Sequence, residues 1–453
     1  MLIPKLKFSL LLFLLTSGCA HYQAQPIALA DLSQAQNRHS LDAPCIKAVH
    51  ANVLEFSELE LIAAAQCFNP ELARAKVATP LALANGELAR QYPGLALVLN
   101  AEYARKAPES SKWLAGFSLD VPLDFGTRKA VRIESAAQAQ VLANLDNTLA
   151  QRALAGKIGA SVDALRATLG EQALLQTRAQ QAQDWLKFVD QRILEGQATR
   201  PERLKPQQEL LATQAELQRA SANERAARSQ LAQALGVPLA QVLNLRLAPD
   251  AAQPDTAQIP RASPKQDPAQ LQAALLTRPE LLRALGQYQL AELALRLEYA
   301  KQYPELRLSP GYIWERGLVK LPLALGALLP PLDGNRRAIA VALAARSLAA
   351  RELELVQANI SAEIDLAFAN QDAARSAWQL GLQQLALANA ELSAAKAAFD
   401  AGELDQLGRL SAELHVNDLM LAVHALEVQL HSSERAVSRA LGSAPTTDSK
   451  GSH

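Results

Sequence analysis

Leu95-Ala-Leu-Val-Leu-Asn-Ala-Glu-Tyr103, followed by Trp113-Leu-Ala-Gly-Phe-Ser-Leu-Asp-Val121, decides the architecture of this chain. Leu95, Leu97, Leu99, Ala101 and Tyr103 fall on one face of the first run, and Trp113, Ala115, Phe117, Leu119 and Val121 on one face of the second. The opposite faces carry Ala96, Val98, Asn100 and Glu102 in the first run and Leu114, Gly116, Ser118 and Asp120 in the second. Alternation with period two predicts strands, and roughly ten residues is what a tilted strand needs to cross a bilayer. A second pair follows. Leu306, Leu308, Pro310, Tyr312 and Trp314 oppose Arg307, Ser309, Gly311 and Glu315; then Val319, Leu321, Leu323, Leu325 and Ala327 oppose Lys320, Pro322, Ala324 and Gly326. Tyr103, Trp113, Tyr312 and Trp314 lie toward the hairpin tips, where an aromatic girdle belongs, while Glu102, Asp120, Arg307 and Lys320 suit a wet lumen. A soluble antiparallel sheet with one face on a core gives the same alternation. Two matching hairpins in an otherwise helical chain favour the membrane.

Working outward, the landmarks around the hairpins occur twice in the same order. Asn69-Pro-Glu-Leu72 returns as Arg278-Pro-Glu-Leu281 and Pro122-Leu-Asp124 as Pro331-Leu-Asp333, both at an offset of 209. Gln91-Tyr-Pro93 returns as Gln302-Tyr-Pro304 at 211; Gly196 matches Gly402 and Ala234-Leu-Gly236 matches Ala440-Leu-Gly442 at 206. Such ordered spacing is the mark of an internal duplication.

Ser57-x-x-Glu60 and Thr277-x-x-Glu280 predict capping-box helix starts, with Pro93 and Pro304 as stops. Beyond each hairpin runs a proline-free stretch. The first, about Arg128 to Glu195, predicts a helix of about 100 Å, and Gly196 and Gly402 stand where the two long helices would end. The chain returns through Pro201 to about Leu235 and enters a linker with prolines at 238, 249, 254, 260, 264 and 268. Such a linker is expected to hold neither helix nor central strand. In this reading the return helix ending near Leu235 stacks end to end on the helix ending near Gln302. The return helix ending near Leu441 is then completed by the chain's own first helix, Ser57 to Gln91.

The formal net charge is zero and only 4% of residues are aromatic, so nothing points to nucleic acid and the composition favours long helices. Lys5, Lys7 and the short apolar run Leu10–Leu15 form an export signal, and Thr16-Ser-Gly-Cys19 resembles a bacterial lipoprotein signal with Cys19 as the acylated residue. An ordinary cleaved signal with an incidental cysteine is the alternative. Cys45 and Cys67 are expected to pair in an exported chain. His415, His424 and His431 share one helix at spacings of nine and seven, unlike a compact ligand pair. No metal site, cofactor motif or catalytic constellation is present in the sequence, which argues against an enzyme.

Four spanning strands cannot close on themselves, and an open edge in hydrocarbon costs several kcal/mol per unpaired backbone group. The chain must therefore oligomerise. Two copies would give a side-chain-filled cylinder of eight strands, and three would give twelve, wide enough for a conduit.

The ordered fragments Asn69-Pro-Glu-Leu, Tyr92-Pro93, Leu119-Asp-Val-Pro-Leu-Asp-Phe-Gly-Thr-Arg-Lys-Ala130, Arg278-Pro-Glu-Leu, Tyr303-Pro304 and Pro331-Leu-Asp-Gly-Asn-Arg-Arg-Ala338 resemble the TolC family of outer-membrane efflux ducts over about residues 57–442. Gly126–Arg132 looks closest to the outer components of CzcC-like heavy-metal efflux systems. The resemblance implies a mainly α fold with a small β part: a homotrimer forming a 12-stranded β-barrel on a 12-column periplasmic α-barrel. It also implies docking to a periplasmic adaptor protein and an inner-membrane pump. The expected divisions are a signal peptide (1–18), an N-terminal arm (19–56), a first repeat (57–236), a proline-rich linker (237–276), a second repeat (277–442) and a disordered tail (443–453). The expected function is passive conduction of small solutes, metal or organic, out of the periplasm or pump; the alternative is a periplasmic lipoprotein adaptor or coiled-coil scaffold without a pore. The periplasmic gate and docking site would lie at the helix turns, on Gly196, Arg200, Glu202 and Arg203 and on Gly402, Glu403, Asp405 and Arg409. An acidic pair that some members carry past the second turn is replaced here by Gly408 and Ser411.

Overall fold

The computed structural model describes residues 22–29, 55–103, 105, 112–123, 127–248, 275–315 and 317–442. The expected signal segment, Cys19, Cys45, most of the proline-rich linker and the tail lie outside the described residues. The chain divides into two units, Met1–Ser40 and Leu41–His453. In the first, residues 22–29 are exposed.

Helix α1 (Glu58–Phe68) starts on the predicted capping box: Ser57 Oγ accepts from the Glu60 amide at 3.3 Å, and the Ser57 amide donates to Glu60 Oε2 at 2.7 Å. Asn69 ends α1 and starts α2 (Pro70–Arg90), accepting from the Leu72 amide at 2.9 Å, with Pro70 in the first turn where no amide is needed. Strands β2 (Ala96–Tyr103) and β3 (Trp113–Leu123) follow, then α3 (Thr127–Leu194), whose 68 residues span about 100 Å. A 3-10 turn (Arg200–Arg203) leads into α4 (Leu204–Leu235).

The next segment differs from expectation. Past Pro238 the chain forms a one-turn helix α5 (Leu239–Val242) and strand β4 (Arg246–Leu247), which pairs in parallel with β1 (Glu55–Phe56) in the last part of the arm. Burial drives this. Phe56, Val242 and Leu245 join Leu61, Leu72, Ile158, Leu165 and Leu231 in the largest apolar cluster, and the short ladder pairs the backbone beside them.

The second half comprises α6 (Pro279–Ala300), β5 (Glu305–Glu315), β6 (Leu318–Lys320), β7 (Leu323–Leu328), α7 (Arg336–Asp400) and α8 (Gln406–Ala440). Helix α6 does not start on the predicted Thr277 capping box. Pro279 takes the first helical position and Arg278 is the cap, as Asn69 is for α2, so the start is set by the proline. The predicted fourth strand is split at Leu321-Pro322. Pro322 has no amide to give, although its carbonyl still accepts from Gly311 at 2.8 Å.

The antiparallel sheet runs β2-β3-β5, with β6 and β7 sharing the far side of β5. Leu99 faces Phe117, Phe117 faces Tyr312, and Leu308 faces Leu325, so the apolar residues of all strands share one face as read from the sequence. Beneath it the helices form a layer: α2 packs on α3, α3 on α6, and α6 on α7, while further down α4 packs on α3, α3 on α8, and α8 on α7.

The end-to-end stacking corrects the sequence reading. The end of α4 meets the start of α2, where Asn69 Nδ2 donates to the Ala234 carbonyl at 2.8 Å. The end of α8 meets the start of α6, where Arg278 Nη1 donates to the Ala440 carbonyl at 2.6 Å. Each half therefore completes its own column. The reason is local: both helix starts carry a donor able to reach the last, otherwise unsatisfied, carbonyls of the helix below. The left-handed Gly236 (φ 76°) brings its backbone so close to the Phe68 carbonyl that a Cβ would stand 2.5 Å from that oxygen.

Candidate functional site

The polar face of the sheet carries charges in pairs. Arg307 on β5 donates to Asp120 Oδ2 on β3 at 2.8 Å, and Ser309 Oγ lies 3.5 Å from Asp120 Oδ1. Lys320 pairs with Glu315, a residue the sequence reading placed on this face without giving it a role. Arg307 also approaches Glu305 at 3.5 Å, and Glu305 lies 3.4 Å from Arg128 at the foot of α3. Glu102 stands on the same face, opposite Leu114. On the apolar face Tyr103 and Trp113 rings lie 5.0 Å apart and tilted, Tyr312 stacks on Phe117 at 5.7 Å, and Trp314 faces Ala115.

Two arginines one turn apart on α3 hold the ends of the helices that lead into the sheet. Arg128 Nε donates to the Ala300 carbonyl at 3.1 Å and another of its nitrogens to the Tyr303 carbonyl; Arg132 Nε donates to the Ala89 carbonyl at 2.9 Å. These are the C-terminal ends of α6 and α2, where cations are favoured. A cavity of about 330 Å³ lies beside them, lined by Pro93, Pro122, Thr127, Tyr303 and Glu305.

The far ends of the long helices repeat each other. Gly196 (φ 72°) donates to the Ile193 carbonyl and Gln197 to that of Arg192; Gly402 (φ 76°) donates to Phe399 and Glu403 to Ala398. Glycine is required because an L side chain at this φ is strained. The residues after the turns are caps. Glu202 receives the Thr199 amide at 2.9 Å and its hydroxyl at 2.8 Å, and these bonds, the amide first, hold the carboxyl below its usual range. Asp405 accepts the Gly408 amide at 2.8 Å and starts α8. Arg203 chelates Asp190 at 2.5 and 3.3 Å, whereas Arg409 lies 5.1 Å over the Phe399 ring and 3.7 Å from Glu413. Arg200, Glu403 and both glycines are exposed. The sequence reading missed Thr199-x-x-Glu202 as a capping box, although the pattern was there to find.

Above this end, Arg178 of α3 reaches Glu209 and Glu216 of α4 at 2.6 and 3.6 Å and Asp418 of α8 at 3.1 Å, so one guanidinium ties both return helices to α3. The histidines of α8 do not converge. His424 Nε2 lies 2.9 Å from the Ala167 carbonyl, in room left by Gly170, and His431 lies between Glu427 and Glu434. Among the described residues no His, Cys, Asp and Glu cluster could hold a metal, and no helix is long and apolar enough to cross a membrane. Cys67 lies exposed on α1; its expected partner Cys45 is outside the described residues.

Residues 61–237 match the family described as outer membrane efflux protein. No curated protein matches the chain. Among solved structures it is similar to CusC, described in terms of folding and transmembrane channel formation, with a TM-score of 0.71, 16% identity and coverage of 94% of this chain and 99% of that one. It is similar also to a membrane protein from Pseudomonas aeruginosa (0.70, 21%, 94% and 100%) and to the outer membrane protein VceC from Vibrio cholerae (0.67, 17%, 84% and 95%). The first half thus carries the outer membrane efflux signature, and nearly the whole chain has the fold of these proteins. Neither comparison supports the alternative of a pore-free adaptor scaffold.

Proposed function

We propose that this chain is the outer-membrane channel of a tripartite efflux system, conducting small solutes passively from the periplasm or a pump to the exterior. One observation carries the reading: among the described residues both flanks of the sheet and both flanks of the helix layer are left open, and they are the same flanks. Strand β2 is at one edge, directly after α2, and β7 is at the other, shortly before α7. An edge in hydrocarbon cannot stay unpaired. A head-to-tail ring of copies satisfies both edges at once, and three copies give twelve strands over twelve helical columns.

The helix flanks support the same ring. Val341, Leu348, Leu355, Leu366, Leu380 and Leu387 are exposed along α7 at intervals of seven, or of eleven and fourteen. That repeat keeps one apolar seam in line along a helix. Val77, Leu81 and Leu88 of α2 and Leu204 and Leu211 of α4 are exposed on the opposite flank. The polar face of the sheet would line the lumen, wet but with most charges paired, and the aromatic pairs would sit at the outer interface. Conduction needs no catalytic group. The exposed turns at Gly196 and Gly402 would face the periplasm and receive an adaptor protein linked to an inner-membrane pump; acylated Cys19 would anchor the chain to the outer membrane.

The purified mature protein should run as a trimer in detergent and give stepwise conductance in planar bilayers. A monomer that dissolves in plain buffer and conducts nothing would overturn the proposal.

A further inference from the structure

Three helices from distant parts of the chain meet around Arg435 of α8. Its Nη1 and Nη2 donate to both oxygens of Glu58 on α1 at 2.7 and 2.6 Å, and its Nε lies 2.6 Å from Asp163 Oδ2 on α3. Helix α3 makes room for this with Gly159: a Cβ there would stand 2.7 Å from Arg435 Nη1 and 2.8 Å from Glu58 Oε1. One turn earlier, His431 lies 3.9 Å from Glu427 and 3.5 Å from Glu434 of its own helix. Glu434 also faces Arg375 of α7 at 3.8 Å, and Arg166 of α3 adds its charge near Asp163. Among the described residues, four carboxylates (Glu58, Asp163, Glu427, Glu434) and three guanidiniums (Arg435, Arg375, Arg166) thus gather at this junction. His431 supplies the fourth positive charge only when protonated.

We propose that this junction is an acid-tightened clamp: protonated His431 completes the charge balance that holds α1 and α8 on α3, and its deprotonation loosens the seam between the two halves. The electrostatics run in one direction. The Glu434 hydrogen bond, against the opposing effect of burial, raises the His431 pKa above its usual value, and the charges of Glu434, Glu427 and Asp163 add to it. Burial is the largest influence on Asp163 and raises its carboxyl, although Arg435 opposes. Both groups bind protons more tightly folded than unfolded, so stability falls as pH rises. The His431 contribution is complete below about pH 6.5 and is lost as pH rises through its higher folded value. Asp163 acts in the same sense in more acidic solution. The clamp is a property of these helices and stands whether or not a lumen runs beside them.

Hydrogen exchange of the full-length protein in detergent, corrected for intrinsic rates, tests this in peptides covering α1 and residues 427–437. Protection should fall between about pH 5.5 and about pH 8.5, by up to about tenfold for each unit by which the folded His431 pKa exceeds the unfolded one. His431→Gln should abolish this dependence while keeping alkaline protection near wild type. Gly159→Ala should lower protection at both pH values and keep the slope, and His424→Gln should also keep it. An unchanged slope in His431→Gln, or a slope lost equally in His424→Gln, would overturn the proposal.

Discussion

Asn69 donates to the Ala234 carbonyl across the break between α2 and α4, and 206 residues beyond Ala234 the Ala440 carbonyl receives Arg278 in the same position. The donors differ and the acceptors are equivalent. Arg278 does more: Nε pairs with Glu280 at 3.0 Å and Nη2 with Glu363 at 3.1 Å, and its side chain is only 7% exposed. Asn69→Ala should cost about 1–2 kcal/mol through the lost cap and the orphaned carbonyl. Arg278→Ala should cost about 2–4 kcal/mol, because it orphans the Arg439 and Ala440 carbonyls, which Nη1 reaches at 3.2 and 2.6 Å, while the half-exposed Glu280 and Glu363 are screened by water and add little. Arg278→Lys should not restore the wild type, since an ammonium cannot fork between them. Thermal unfolding of the detergent-solubilised protein ranks the three.

At the second turn Asp405 is a helix cap before it is a charge. Asp405→Asn keeps a capping oxygen and should leave unfolding and conductance at wild-type values, whereas Asp405→Ala should lose about 1 kcal/mol and fray the start of α8. A conductance altered equally by Asn and Ala would restore a direct electrostatic role at the entrance. The Asn variant, analysed by hydrogen exchange and in planar bilayers, decides between the two.

The close approach of His424 to α3 depends on one missing methyl group. A Cβ at Gly170 would stand 2.5 Å from His424 Cε1. Gly170→Ala should therefore destabilise by about 1–3 kcal/mol through overpacking. Combined with His424→Ala the loss should be less than the sum of the single losses, because the clash exists only when both groups are present. Additive losses in a double-mutant cycle would show that the ring moves aside freely.

If the polar face of the sheet lines a pore, the Asp120–Arg307 pair sets its local charge. Arg307→Gln should raise cation preference, Asp120→Asn should lower it, and the double variant should return near wild type. Reversal potentials across a salt gradient measure all three. No change in any of them would place this face away from the permeation path.

Much of the fold could be read from sequence because its signals are one-dimensional. Proline-free stretches closed by Gly196 and Gly402 mark the long helices, and period-two alternation marks the strands together with the face each side chain takes. The stacking partners were misread because α2 and α6, at 21 and 22 residues, complete a column equally well in either order. The choice rests on whether Asn69 and Arg278 reach particular carbonyls, which spacing does not encode. The alternation runs unbroken through Pro322, but its missing amide interrupts the ladder. At the tips, the sequence shows Glu202 and Asp405 only as charges, and the structure employs both as caps. The Glu58–Arg435 pair joins residues 377 positions apart, and no local pattern announces it.

Because α2 leads directly into β2, and a short turn joins β7 to α7, each border of the sheet is covalently continuous with a border of the helix layer. In the proposed ring, lipid-side and water-side joints then share one hinge line per neighbour, and neither can be unzipped alone. A nick or a bulky adduct on the α7 leucines would be felt as leakage at the cell surface, far from the lesion.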